Sequence, residues 1–284
     1  MGRFLRPHHV NDALGVLATG DWTVLAGGTD HYPSRVVEQR DEDVLDITGI
    51  AALRGIADAG DHWRIGALTT WNEVIEAHLP AMFDGLKAAA REVGGAQIQN
   101  RGTIGGNLCN ASPAADGVPP LMSLDASVEL ASVAGSRYLP LDRFILANRR
   151  TDRRSNELLT AIRVPKHRHS ARATFLKLGA RRYLVISIAM VASLIEIDRG
   201  TVAAARIVVG ACSTVAQRLP ALEAALVGRS IDGGLADLVR SDHLQPLQPI
   251  DDVRADKDYR RDAALVLVRR CLIALAGEQR EKAA

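Results

Sequence analysis

The stretch Asn100-Arg-Gly-Thr-Ile-Gly-Gly-Asn-Leu-Cys-Asn-Ala-Ser-Pro-Ala-Ala-Asp116 gathers three glycines, three asparagines and two hydroxyl side chains, and Pro119-Pro120 follows closely. It shows no helical period and reads as a loop. Glycines let a backbone approach a ligand and take positive φ, while hydroxyl and amide side chains place neutral donors around an anion. A shorter run, Ala26-Gly-Gly-Thr-Asp30, follows the apolar Val24-Leu25. Either loop alone is consistent with a structural turn. Two loops that each combine glycine with Thr, Asn or Asp suit a ligand carrying a pyrophosphate beside a polyol or sugar.

Spacing narrows the ligand. A dinucleotide site of the Rossmann kind needs GxGxxG between a strand and the start of a helix, whereas Gly102-Thr-Ile-Gly-Gly106 lacks that spacing. The prolines at 113, 119 and 120 lead us to expect no helix before Pro120. No GxxxxGK[ST] string occurs, so a P-loop is excluded.

The elements that must carry these loops follow from the periodicity. Val10, Leu14 and Leu17 recur at helical spacing up to Gly20, with Pro7 placed for a first helical turn. Val24-Leu25-Ala26 and Val44-Leu45-Asp46-Ile47 read as strands, which makes the opening a small β-α-β unit holding the Gly-Gly-Thr-Asp turn. Trp63 to Leu68 alternates like a strand, and Thr69-Thr-Trp-Asn-Glu73 offers a hydroxyl and an acid to start the next helix. A helix through Leu86, Ala89, Ala90 and Val93 should end at Gly94-Gly95, and strands resume at Ser127–Ser132 and Leu159–Val164.

The charged, apolar-poor Lys166 to Arg172 marks a domain boundary. Beyond it, Thr174–Leu178, 188–197 and 202–209 read as strands, with Asp198-Arg-Gly200 as a hairpin turn. Helices from Pro220 to Val227 and from about Tyr259 to Ala276 close the chain. Strands in a meander followed by helices make an α+β module.

Composition excludes several classes of function. At 284 residues the chain is long for one domain, and 47% hydrophobic residues support a globular core. Net charge is +2, with no basic block interleaved with aromatics, so nucleic acid is a poor partner. No segment reaches the roughly 18 apolar residues of a membrane helix, and the first residues lack a signal-peptide core, which points to the cytoplasm. Cys109, Cys212 and Cys271 form no CxxC pair, so they read as reduced structural thiols, and no metal site is expected.

With these residues in view, a family resemblance emerges. Ala26-Gly-Gly-Thr-Asp30, Ile65-Gly-Ala-Leu-Thr69, Arg101-Gly-Thr-Ile-Gly-Gly-Asn107 with Ala111-Ser-Pro-Ala-Ala-Asp116, and Phe175-Leu-Lys-Leu-Gly-Ala-Arg-Arg182 resemble the FAD-binding medium subunit of molybdenum hydroxylases, the xanthine dehydrogenase and aerobic carbon monoxide dehydrogenase family. Asp252 to Arg260 is similar to that family's closing segment, so the resemblance spans the chain. It implies an α+β fold: an FAD-binding fold of the vanillyl-alcohol oxidase and cresol methylhydroxylase type in two subdomains, 1–55 and 56–170. A C-terminal α+β domain with an antiparallel sheet and helices, 171–284, follows.

By the same resemblance, Ala26, Gly27, Gly28, Thr29, Asp30 and His31 offer backbone amides to the FAD pyrophosphate. Thr103, Gly105, Gly106 and Asn107 face it from the other loop. Asn110, Ser112 and Asp116 match positions that reach ribityl and ribose hydroxyls, the alternative for Asp116 being a turn or cap residue. Leu159 matches a residue packed near the ring systems, although a plain core leucine reads equally well. Lys177 matches a lysine able to stabilise negative charge on the reduced flavin, its alternative being a solvated strand lysine. No catalytic side chain is expected.

FAD would be non-covalent, with His31 contributing through its backbone. Molybdopterin and two-iron two-sulfur clusters would sit on a large and a small partner subunit in a heterotrimer or its dimer. Electrons would pass from the clusters through FAD to an external acceptor, and substrate choice would lie on the molybdenum subunit. A self-contained FAD oxidase and a non-enzymatic nucleotide-binding module are the rival readings.

Overall fold

The computed structural model describes residues 2–37 and 41–282, which fall into two compact units. The first comprises Met1–Ala77, Ala96–Ala111 and Asp125–Pro165, and the second His78–Gly95, Ser112–Leu124 and Lys166–Ala284.

In the first unit, strands Phe4–Leu5, Thr23–Leu25 and Val44–Asp46 form a parallel sheet with Val44–Asp46 in the middle. Helix Val10–Leu17 buries Ala13, Leu14 and Leu17, as the spacing requires. It begins at Val10 with His9 in the capping position, so Pro7 lies before the helix rather than in its first turn. Helix His31–Val37 completes the β-α-β unit, and the glycine turn lies between Thr23–Leu25 and that helix. A second sheet of five strands is antiparallel, in the order Ile56–Asp58, His62–Gly66, Leu158–Pro165, Ser127–Ser132, Gly135–Pro140. Leu14, Trp22, Leu45, Ile50, Leu68 and Leu158 share one hydrophobic cluster, so residues of both sheets bury apolar surface together.

Helix Trp71–Glu76 opens with the anticipated device. Thr70 Oγ1 accepts from the Glu73 amide while the Glu73 carboxylate accepts from the Thr70 amide, satisfying two otherwise orphaned donors.

In the second unit, strands Ser170–Leu178, Ala189–Asp198, Thr201–Gly210 and Gln217–Arg218 form an antiparallel meander. The hairpin at Arg199-Gly200 has both residues at positive φ, 49° and 81°, as a tight two-residue turn demands. Val191, Ile195, Ile207 and Val209 of the sheet share a core with Leu222 and Leu226 of helix Pro220–Leu226 and with Val268 and Leu272 of helix Lys257–Lys282. Helix Val118–Ser123 lies against this sheet: a Cβ on Gly210 would sit 2.8 Å from the Pro119 ring. No helix among the described residues is long and apolar enough to cross a membrane.

The glycine-rich run departs from expectation. The 100–116 run is not a plain loop, because helix Ala96–Arg101 enters it and helix Ile104–Asn110 lies inside it. Thr103 caps the second helix through its hydroxyl, which accepts from the Gly106 amide at 3.1 Å, and Ile104 and Leu108 are fully buried. Two apolar anchors and a cap suffice for a seven-residue helix that glycine content alone disguises. The next helix also begins early, at Val118, with both prolines in its first turn, where a missing amide costs nothing.

Candidate functional site

Within the first unit the two glycine-rich segments meet. The Gly27 Cα lies so close to the other segment that an added Cβ would stand 2.0 Å from the Arg101 carbonyl oxygen. A Cβ on Gly106 would come within 4.0 Å of the Ala26 methyl. Behind them, the Gly105 amide donates to the Ala67 carbonyl at 2.9 Å, and the Ala67 amide donates to the Thr160 carbonyl at 3.0 Å. That chain of bonds ties the site to strand Leu158–Pro165, whose Leu159 is buried next to a register shift.

Amide accounting separates the two segments. Ile104, Gly105, Gly106 and Asn107 all donate inside the chain, to Thr69 O, Ala67 O, Thr103 Oγ1 and Thr103 O. By contrast, the amides of Gly27, Gly28, Thr29 and Asp30 make no hydrogen bond among the described residues, and Gly28 has φ of 75°. Successive half-exposed amides turned by a left-handed residue form an anion-binding concavity. In the second segment, the buried Asn107 Oδ1 has no hydrogen-bond partner among the described residues. A buried polar atom without a partner costs free energy, so it marks a place where a ligand donor would be welcome.

His31 begins the following helix, with its ring edge-on to Tyr32 at 5.3 Å and Nε2 4.0 Å from Glu42 Oε1. Glu42 also accepts from Arg35 and Thr23; chiefly through Arg35, its carboxyl falls to a pKa of about 2. Asn110 closes the inner helix, and its Oδ1 accepts from Arg149 Nη1 at 2.9 Å. The same guanidinium pairs with Asp30 at 2.9 Å. Nothing in the sequence sets Arg149 apart from Arg150, Arg153 and Arg154, and sequence reasoning missed it.

The second unit holds the remaining expected residues. Lys177 Nζ lies 2.6 Å from Asp116 Oδ2, and Ser187 Oγ donates to Asp116 Oδ1 at 2.6 Å. Both charged side chains are almost wholly buried, which overturns the solvated-lysine alternative. Burial pushes the Asp116 carboxyl above the ordinary carboxylate range, opposed by the Lys177 ammonium and the Ser187 hydroxyl. Ser112 turns the chain, its hydroxyl accepting from the Ala114 amide. The three cysteines are dispersed. Burial raises their thiols to about 11 for Cys109 and about 12 for Cys212 and Cys271.

Residues 1–167 match the family described as the FAD binding domain in molybdopterin dehydrogenase, and residues 174–275 match the CO dehydrogenase flavoprotein C-terminal domain. The chain is 31% identical over 264 residues to the xanthine dehydrogenase FAD-binding subunit of Escherichia coli O157:H7, covering 88% of this chain and 87% of that one. It is 27% identical over 279 residues to the nicotine 6-hydroxylase medium subunit of Paenarthrobacter nicotinovorans, covering 95% and 96%. Among solved structures it is similar to carbon monoxide dehydrogenase from Hydrogenophaga pseudoflava, with a TM-score of 0.86, 30% identity and 96% of each chain covered.

Proposed function

We propose that this chain, which belongs to the family of FAD-binding flavoprotein subunits of molybdenum hydroxylases, holds FAD non-covalently as the electron-transfer subunit of such an enzyme. Four adjoining amides with no acceptor among the described residues, close against the 101–106 backbone, carry this reading because a pyrophosphate is the ligand group that would use them. When bound, FAD supplies a redox centre able to take electrons singly and release them as pairs.

In this reading Ala26, Gly27, Gly28, Thr29, Asp30 and His31 serve the pyrophosphate through the backbone. Because the amides of Gly105, Gly106 and Asn107 are already committed, the second segment contributes closeness of approach, with Thr103 holding the helix in place, and the Asn107 side-chain oxygen would accept from a cofactor hydroxyl. Asn110, Ser112 and Asp116 serve sugar and ribityl hydroxyls, Leu159 packs near the rings, and Lys177 sets local charge. The Asp116–Lys177 pair is preformed, so the ammonium arrives already balanced by a carboxylate. We assign FAD-binding subdomains of the vanillyl-alcohol oxidase type to 1–55 and 56–170, and the C-terminal domain to 171–284.

The assembly would add a large molybdopterin-binding subunit and a small iron-sulfur subunit, in a heterotrimer or its dimer. It would work in the cytoplasm and pass electrons to an external acceptor. The nicotine 6-hydroxylase relative, itself a medium subunit, supports this arrangement. Titrating the purified chain with FAD tests the reading. One FAD per chain should bind with quenched fluorescence and come off on acid precipitation. A chain without affinity for FAD would sink the proposal, and flavin left on the acid precipitate would refute its non-covalent part.

A further inference from the structure

Arg149 lies at the tip of the hairpin formed by Ile145–Ala147 and Arg150–Thr151, at φ of 55°. Its amide donates at 3.0 Å to the carbonyl of Ala111, which also has positive φ, 48°. The bond between these two left-handed residues joins the hairpin turn to the C-cap of helix Ile104–Asn110. What it achieves is placement of the guanidinium. Nη1 and Nη2 lie 2.9 and 3.4 Å from the two Asp30 oxygens, and Nη1 lies 2.9 Å from Asn110 Oδ1.

Asp30 belongs to the run of uncommitted amides, so a negative charge stands on the rim of a concavity suited to anions. Left alone, that carboxylate would oppose a pyrophosphate. We propose that Arg149 is a positioning residue for the cofactor: held by Asn110 at the end of helix Ile104–Asn110, it neutralises Asp30, so that the concavity accepts a dianion. This rests on the FAD reading above. Arg149 acts through Asp30 and not by gripping a phosphate itself.

The test is FAD affinity and release rate, read by the fluorescence regained on dissociation, for wild type, Arg149→Ala, Asp30→Asn and the double variant. Arg149→Ala should weaken FAD binding about tenfold at low salt, and less at high salt, because the exposed carboxylate is then unpaired beside the anion. Asp30→Asn should bind at least as tightly as wild type. The double variant should return to within roughly threefold of wild type. The apo proteins should melt alike, since side chains 61% and 49% exposed form a weak pair for stability.

Wild-type affinity in Arg149→Ala would overturn the inference. So would a double variant as weak as Arg149→Ala, which would mean that the arginine grips the ligand directly or that the hairpin alone matters. Failure of wild type to take up FAD removes the premise, and this inference with it; normal wild-type uptake with a flat Arg149→Ala response removes this inference alone.

Discussion

Gly27→Ala should abolish tight FAD binding while leaving the rest of the protein folded. The new methyl carbon would lie 2.0 Å from the Arg101 carbonyl oxygen, 2.8 Å from its carbon and 3.1 Å from the Gly102 Cα. All three are backbone atoms, so no rotamer change relieves the clash. Reaching ordinary contact, about 3.5 Å, parts the two segments by more than about 1 Å. Overpacking of this kind costs about 1–3 kcal/mol, and because the displaced segments are the two walls of the site, we expect affinity to fall roughly ten- to a hundredfold. Gly15→Ala is the control: nothing lies within 4 Å of its added Cβ, and it sits inside helix Val10–Leu17. That change should stabilise the fold by about 0.5–1 kcal/mol and leave FAD binding alone. Isothermal titration with FAD, beside a thermal melt of each apo protein, reads both effects. Undiminished affinity in Gly27→Ala would show that the close approach of the two segments plays no part in binding.

Lys177→Met strands Asp116 in a buried setting and should cost about 3–5 kcal/mol in urea denaturation, part of which Lys177→Met with Asp116→Asn recovers; a cost under 1 kcal/mol would contradict the buried pair. Asp116→Ala should also weaken FAD binding, and an unchanged affinity would remove its proposed sugar contact. Glu42 contributes stability that is present above pH about 4.5 and lost as pH falls towards about 2, because its folded pKa is depressed. Glu42→Gln should therefore flatten the fall of stability with acid over that range, by up to about 3 kcal/mol. Cys212 and Cys271, fully buried and with thiols raised to about 12, should resist a neutral-pH disulfide reagent until the chain unfolds; fast labelling of these two in the native protein would contradict their burial.

The meander and its helices were legible in the sequence because their apolar periods are long. Ser127–Ser132 appears as expected, and the Asp198-Arg-Gly200 turn could be read from residue types alone. The two glycine segments were also legible, since Gly27 and Gly105 are required by close approaches that only glycine allows. What stayed hidden was short or non-local. Helix Ile104–Asn110 is too brief to show a period and rests on a cap and two buried anchors. Asp116 with Ser187, and Asp30 with Arg149, join residues 71 and 119 positions apart, and no local pattern announces such pairs.

The most direct test of the account is to purify the native assembly through this chain and measure which cofactors travel with it. We predict one acid-releasable FAD per copy, together with molybdenum and iron carried by two further polypeptides, and bleaching of the flavin bands when the assembly's substrate is added without an acceptor. A lone chain that carries no flavin and recruits neither metal would contradict the account.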